Sequence, residues 1–220
     1  MKEKLICGID DSGRGPVIGP MVLAGVLIEE SKEKKLKELG AKDSKLLTRK
    51  KRDKIAEEIK KITKYDIRIV LPKEIDEKIM SGTNLNSLEG EKAVEIINKL
   101  NPDVAYLDCP SPNLKAWKNF VYERLKNKNV ELIVEHKADK NFPVVSAASV
   151  LAKNTRDKEV DKIKKIVKVD FKSGYSHDPE TIKFLKENID KYPEFFRKSW
   201  MTFKNHKNAK KQKNLEEYQK

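Results

Sequence analysis

The sequence predicts an α/β protein: a five-stranded mixed sheet flanked by helices, with a helical C-terminal appendage. Three observations carry this. Short apolar runs of strand length are interleaved with longer segments whose apolar residues recur at helical spacing. The first two runs, 5–9 and 21–28, are separated only by a loop, which makes them a neighbouring antiparallel pair. After the third run strands and helices alternate, the order of a sheet covered by helices.

Residues 4–10 read as a strand, Leu5-Ile6-Cys7-Gly8-Ile9, ending in Asp10 and Asp11. A loop from Ser12 to Pro20 follows, and 21–28 is a nearly continuous apolar run typical of a buried strand. Segments 31–39 and 49–62 are charged and periodic, with Ile55, Ile59 and Ile62 at helical spacing and Thr48 as N-cap of the second. Lys42-Asp43-Ser44-Lys45 between them is a polar loop. Residues 66–71 form a third strand closed by Pro72, and 84–100 a helix with Leu88, Ala93, Ile96, Ile97 and Leu100 inward. Strand 103–107 ends at Asp108, helix 113–126 follows, and 130–135 is the fifth strand. The loop 136–142 carries Asp139, and 143–150 opens a helix with a small, apolar start. Segments 178–190 and 193–207 read as two more helices, and the rest as a basic tail without apolar periodicity. Gly174, His177 and Pro179 punctuate a soft boundary, so the expected division is an α/β domain over 1–177, a helical appendage over 178–207 and a flexible tail over 208–220.

Composition narrows the function. The 220 residues carry 48 Lys+Arg against 35 Asp+Glu, a net charge of +13, which points to a polyanionic partner, nucleic acid before an anionic membrane. No apolar run approaches the roughly 18–20 residues of a transmembrane helix. The N-terminal stretch reaches acids too soon for a secretory signal, and two cysteines, Cys7 and Cys109, fit a reducing cytoplasm rather than a disulfide framework. Three scattered histidines make a zinc site improbable, so a metal here would need carboxylates, which suit Mg²⁺ or Mn²⁺.

Four groups of residues can carry chemistry. Asp10 and Asp108 fall at the C-terminal ends of apolar strands, where sites assemble in open α/β sheets. With Asp11 and Asp139 they could hold two divalent ions about 3.5–4 Å apart, the arrangement that hydrolyses phosphodiesters; on spacing alone the plainer reading makes them loop acids capping helices. The loop Gly13-Arg14-Gly15-Pro16-Val17-Ile18-Gly19-Pro20 allows close backbone approach to a ligand, or is simply a tight turn; it is neither a Walker loop nor a dinucleotide fingerprint. In the run from Lys172 to Pro179, Tyr175 could stack on a sugar or base, or pack on the core while Asp178 caps the next helix, and the two roles are compatible. Finally, residues 197–220 hold eight basic side chains and two acids, with Trp200 and Phe203 forming an apolar helix face and the lysines outward. That end is either a nucleic-acid-binding segment or a solvated, partly disordered tail.

Taken together, Gly8-Ile9-Asp10-Asp11-Ser12-Gly13-Arg14-Gly15-Pro16, Lys42-Asp43-Ser44-Lys45, Asp108, the stretch from Glu135 to Asp139 with Phe142-Pro143-Val144-Val145-Ser146-Ala147-Ala148-Ser149, Thr155-Arg156-Asp157, and Ser173-Gly174-Tyr175 closely resemble the type 2 ribonucleases H (ribonuclease HII) in their archaeal form, collinearly over about residues 5–206. The resemblance implies an RNase H-like fold and an endonuclease acting on RNA in RNA/DNA hybrids and on single ribonucleotides within duplex DNA. The cut would fall 5′ of the ribonucleotide and leave 3′-hydroxyl and 5′-phosphate ends, with Mg²⁺ or Mn²⁺ as cofactor, two ions per site. It implies that Asp10, Asp11, Asp108 and Asp139 bind metal, that Gly13, Arg14 and Gly15 contact the backbone and the 2′-hydroxyl, that Tyr175 stacks on the sugar of the following deoxynucleotide, and that Lys45 meets a phosphate. A monomer in the cytoplasm, with no membrane partner, is expected; residues 215–220 lack the paired aromatics of a sliding-clamp motif, and no protein partner is assigned.

The chain departs from the family in two places: Asp11 and Ser12 stand where Glu and Ala are usual, and Lys172, Ser176 and His177 alter the run around Tyr175. Asp is one methylene shorter than Glu, which changes its reach. Two rivals remain at this level. A junction resolvase or transposase-type nuclease would cut all-DNA substrates, and a basic binding module with a degenerate site would show no turnover.

Overall fold

The five strands assemble in the order β3-β2-β1-β4-β5. The structure, a computed structural model, describes residues 3–40 and 47–218, so Lys45 and its polar loop lie outside the described residues. In chain order the elements are β1 (Leu5–Ser12), β2 (Met21–Glu29), α1 (Glu33–Glu38), α2 (Arg49–Ile62), β3 (Lys64–Val70), α3 (Pro72–Met80), α4 (Leu85–Leu100), β4 (Val104–Asp108), α5 (Leu114–Arg124), β5 (Glu131–Glu135), α6 (Ala138–Asn141), α7 (Pro143–Val167), α8 (Pro179–Asn188) and α9 (Met201–Tyr218). β1 pairs antiparallel with β2 and parallel with β4, and β4 pairs parallel with β5, so the sheet is mixed, as expected.

The chain forms two compact units that interleave in sequence rather than meeting at one point near 177. The first comprises the residues up to Ser12, Val22–Ile69 and Asn84–Arg156. Strand alternation sends Ile6, Val22, Ala24, Val26, Ile28 and Val104 to one face, where they bury Leu36 of α1, Ala56 and Ile59 of α2, and Val144 to Ala152 of α7. The small, apolar start of α7 has a geometric cause: a Cβ on Gly8 would lie 2.3 Å from the Val144 carbonyl carbon. Helix and strand backbones nearly touch there, and larger side chains would not fit. Val144 N–H donates to Glu33 Oε1 (3.3 Å), which caps the start of α7. On the other face Gly25 makes room for Ile96 of α4, whose Cγ2 would lie 2.2 Å from an added Cβ.

The second unit comprises Gly13–Met21, Val70–Thr83 and the residues from Asp157 onward. Its core packs Phe171, Phe184, Phe196 and Phe203 with Val160, Ile163, Val167, Leu185 and Ile189. The Phe184 ring centroid lies 5.1 Å from that of Phe171 and 5.9 Å from that of Phe196.

Several elements differ from expectation. β1 continues through Asp10, Asp11 and Ser12, which pair with Ala24, Leu23 and Val22; the long run of β2 supplies ladder partners past the last apolar residue of β1. Pro72 opens α3 instead of merely closing a strand, since proline suits the first helical turn, where its missing N–H has no partner to lose. Loop 136–142 contains the short helix α6. Segment 193–207 is a 3₁₀ turn at Pro193–Phe195, a non-helical bend, and then the start of α9. α9 runs on to Tyr218 through the stretch expected as a tail. Its lysines, glutamates and Ala209 are good intrinsic helix formers, and apolar periodicity reports burial, not helicity.

Candidate active site

The acids converge because of register. β1 and β4 run parallel with Ile6 opposite Val104 and Ile9 opposite Leu107, which brings Asp10 level with Asp108 on the neighbouring strand. Alternation places both on the face covered by α7. Asp108 Oδ1 accepts from the Ala138 N–H (3.0 Å), which ties the first residue of α6, next in the chain to Asp139, to the end of β4. Asp10 and Asp139 are buried. Asp11 alternates to the opposite face of β1, and its N–H donates to Asp10 Oδ1 (2.7 Å).

Asp10 is the electrostatic centre of the group. Burial pushes its carboxyl well above the usual carboxylate range, and the charges of Asp11 and Asp108 push it further; a hydrogen bond from the Ser149 hydroxyl on α7 and the Asp11 amide only partly oppose this. Crowded oxygen donors of this kind suit a hard divalent cation, which would relieve the repulsion. Among the described residues, no three Asp, Glu, His or Cys side chains stand close enough to form a finished chelate. A cavity of about 100 Å³ lies beside Asp139, Asn141 and Ser146. A larger groove, about 580 Å³, runs along β5 between Lys118 and Glu135 and contains none of the four acids.

The glycine loop and Tyr175 belong to the second unit. Gly13 has φ +90° and Gly174 φ +80°, backbone that side-chain-bearing residues rarely adopt. Gly174 O accepts from Val17 N–H (2.9 Å) and Ile18 N–H (3.2 Å), joining the two segments. A Cβ on Gly15 would lie 3.3 Å from Tyr175 Cε1, so the half-exposed Tyr175 ring sits against the exposed Gly15 backbone. The Tyr175 and His177 rings are 5.4 Å apart. Asp178 stands at the N-cap of α8 but makes no capping bond; its Oδ2 instead accepts from Ser173 N–H (3.1 Å) and the Ser173 hydroxyl, bonds that hold it below its usual range. His136 lies with Nδ1 3.2 Å from Cys109 O.

Two residues escaped the sequence reading. Arg197, one of the eight basic side chains of 197–220, is completely buried and reaches the glycine loop: Nε donates to Gly19 O (3.0 Å), one terminal nitrogen to Arg14 O (2.7 Å) and the other to Gly13 O (2.6 Å). Asp76, on the helix the sequence did not predict, accepts from Lys198 N–H and Ser199 N–H (both 2.8 Å). The one sequence signal for Arg197 is its setting: an arginine inside the aromatic run Phe195, Phe196, Trp200. Of the remaining basic end, Lys207 and Lys210 pair with Asp190, leaving Lys198 and Lys204 as the exposed basic side chains near the start of α9.

A mixed sheet in this order, with acids level at the ends of its central parallel strands, defines a ribonuclease H-like nuclease. The family model for ribonuclease HII matches residues 7–203. The chain belongs to the ribonuclease HII family, endonucleases that act on RNA/DNA hybrids. It is 44% identical over 209 residues to ribonuclease HII of Methanococcus maripaludis strain C6, covering 92% of this chain and 87% of that one. The crystal structure of ribonuclease H2 from Pyrococcus horikoshii OT3 superposes with a TM-score of 0.86 at 37% identity, over 93% of this chain and 98% of the other. The ribonuclease HII of Archaeoglobus fulgidus, solved in a complex with PCNA, gives 0.82 at 39% identity, over 89% and 95%. Membership sets aside both the junction-nuclease and the binding-module readings.

Proposed function

We propose that this protein, besides cutting the RNA strand of hybrids, cleaves 5′ of a ribonucleotide embedded in duplex DNA and leaves 3′-hydroxyl and 5′-phosphate ends. The observation that carries the chemistry is the level placement of Asp10 and Asp108, with Asp10 buried and crowded by the charges of Asp11 and Asp108. Asp10, Asp11, Asp108 and Asp139 would hold Mg²⁺ or Mn²⁺, two ions during turnover, and these would polarise the phosphodiester and lower the pKa of the attacking water. The Ser149 hydroxyl and the Asp11 amide orient the Asp10 carboxylate. Gly13, Arg14 and Gly15 contact the nucleic-acid backbone and the 2′-hydroxyl, the atom that separates RNA from DNA. The exposed edge of Gly15 admits that approach, and Tyr175 beside it stacks on the next sugar. Lys45, outside the described residues, contacts a phosphate, and Lys198 and Lys204 add charge for the duplex. The enzyme works as a monomer in the cytoplasm.

The test is a DNA duplex carrying one ribonucleotide, incubated with and without Mg²⁺, with the cut mapped at nucleotide resolution. The expected product is a single Mg²⁺-dependent nick 5′ of the ribonucleotide. A nick on its 3′ side, or equal cleavage of the all-DNA duplex, would refute the reading.

A further inference from the structure

We propose that Arg197 is a positioning residue for ribonucleotide recognition: its buried guanidinium aims the backbone amides of the glycine loop. The argument begins with the peptide unit. A trans peptide points its N–H opposite to its C=O. Arg197 draws in the carbonyls of Gly13 and Arg14, at 2.6 and 2.7 Å, and so turns the N–H groups of Arg14 and Gly15 away from itself. The carbonyls of Gly15 and Gly19 are held as well, by Trp200 Nε1 (3.2 Å) and Arg197 Nε (3.0 Å), but each precedes a proline, which has no N–H to orient. Farther along the loop the amides are used internally: Val17 and Ile18 donate to Gly174 O, and Gly19 to Phe195 O (2.9 Å). The scaffold therefore orients two successive amides, those of Arg14 and Gly15, at the part of the loop where Gly15 is exposed.

Arg197 is itself fixed. Its N–H donates to Val17 O (2.9 Å), its guanidinium lies 5.0 Å from the Trp200 ring centroid, and the turn after it hangs on the Asp76 carboxylate, which takes the amides of Lys198 and Ser199 and the Ser199 hydroxyl (2.6 Å). A planar fork with donors in fixed directions can hold three carbonyls at once; a lysine ammonium at the same place would be a single point.

The proposal rests on the reading of Gly13, Arg14 and Gly15 as the ribonucleotide reader, and the experiment separates the two. Affinity is measured without divalent metal for two duplexes of one sequence, one with a single ribonucleotide and one all-DNA, and expressed as a ratio. Partial unfolding lowers the active fraction but leaves this ratio unchanged, so a merely structural role does not move it. The wild type should prefer the ribonucleotide. Arg197→Lys should lower the ratio by about tenfold, the loss expected for one or two hydrogen bonds. Asp76→Asn, which loosens the turn but keeps the guanidinium, should lower it less, and provides the answer should Arg197→Lys not fold. Dilute guanidinium chloride, matched against sodium chloride, should restore part of the ratio in Arg197→Ala. A wild-type preference that persists in Arg197→Lys and Asp76→Asn would overturn the role of Arg197 alone; a wild-type ratio of one would overturn the reading of the loop and this proposal with it.

Discussion

Replacing Gly8 by alanine would place a methyl group 2.3–2.4 Å from the Val144 carbonyl and the Val145 nitrogen. Ordinary contact begins near 3.4 Å, so the start of α7 must retreat from β1 by about 1 Å. Overpacking a core costs about 1–3 kcal/mol, and because the obstructing atoms are backbone, which no rotamer change can move, the cost should lie near the top of that range. At about 2–4 °C per kcal/mol for a chain of this size, Tm should fall by roughly 6–12 °C. Activity should fall too, because α7 carries Ser149, which orients Asp10, and Asp10 lies two residues from Gly8 on the same face. A displacement of about 1 Å in a catalytic array can cost about 100-fold in rate. The assay is calorimetry for Tm and steady-state cleavage of an RNA/DNA hybrid well below both melting points. Gly82→Ala is the control: an added Cβ there meets nothing within 4 Å, so only the strain of its φ of +90°, about 1–2 kcal/mol, should register, with kcat unchanged. A Gly8→Ala variant that kept the wild-type Tm and kcat would refute the close contact between β1 and α7.

Other expectations follow from the acids and the ring. Asp10→Asn, Asp108→Asn and Asp139→Asn should each cut kcat by several orders of magnitude at saturating Mg²⁺, with unchanged circular dichroism. In EDTA, Asp10→Asn should also be more stable than wild type at neutral pH: a folded-state pKa raised by burial gives stability that is present below the unfolded value of 3.8 and lost as pH rises through the folded value, by at most about 1.4 kcal/mol per pH unit. The Tm gap should therefore close toward pH 4. Asp11→Glu should remain active and Asp11→Ala should be poor; a fully active alanine variant would make position 11 a spectator. Tyr175→Ala should lose stacking worth roughly 1–3 kcal/mol, more on a single embedded ribonucleotide than on a continuous hybrid, as read by kcat/KM on the two substrates.

The sheet was legible because its strands are apolar runs with clear ends, and the two acids beyond Ile9 and Leu107 advertised the site by breaking those runs. Helix α2 was legible to the residue, with Thr48 accepting from Lys51 N–H (3.4 Å) as its cap. Helix α3 was not, because Pro72 reads equally as a stop or a start and only Pro72, Ile75 and Asp76 are buried on it. The seating of α6, which carries Asp139, against the end of β4 could not be read from spacing either. It depends on the Asp108 carboxylate taking the Ala138 amide, a bond between residues 30 apart in sequence. Arg197 was misread for a different reason: composition assigns a charge to the surface by default, and only tertiary structure shows it spent on backbone carbonyls.

That misreading generalises to the net charge of +13. Formal charge attracts a polyanion only where it is exposed and not already matched. In this chain, Arg68 and Lys99 converge on the buried Asp66, Lys207 and Lys210 on Asp190, and Arg197 is sealed from solvent. None of these five cations is available to a phosphate without first giving up its partner. The acids go the opposite way: burial raises the pKa of Asp10, and the charges of Asp11 and Asp108 raise it further. Pairing elsewhere and crowding here leave a local negative field set within a basic protein. A duplex drawn to exposed, unmatched basic side chains would have its charge neutralised there, while the crowded acids would favour added cations.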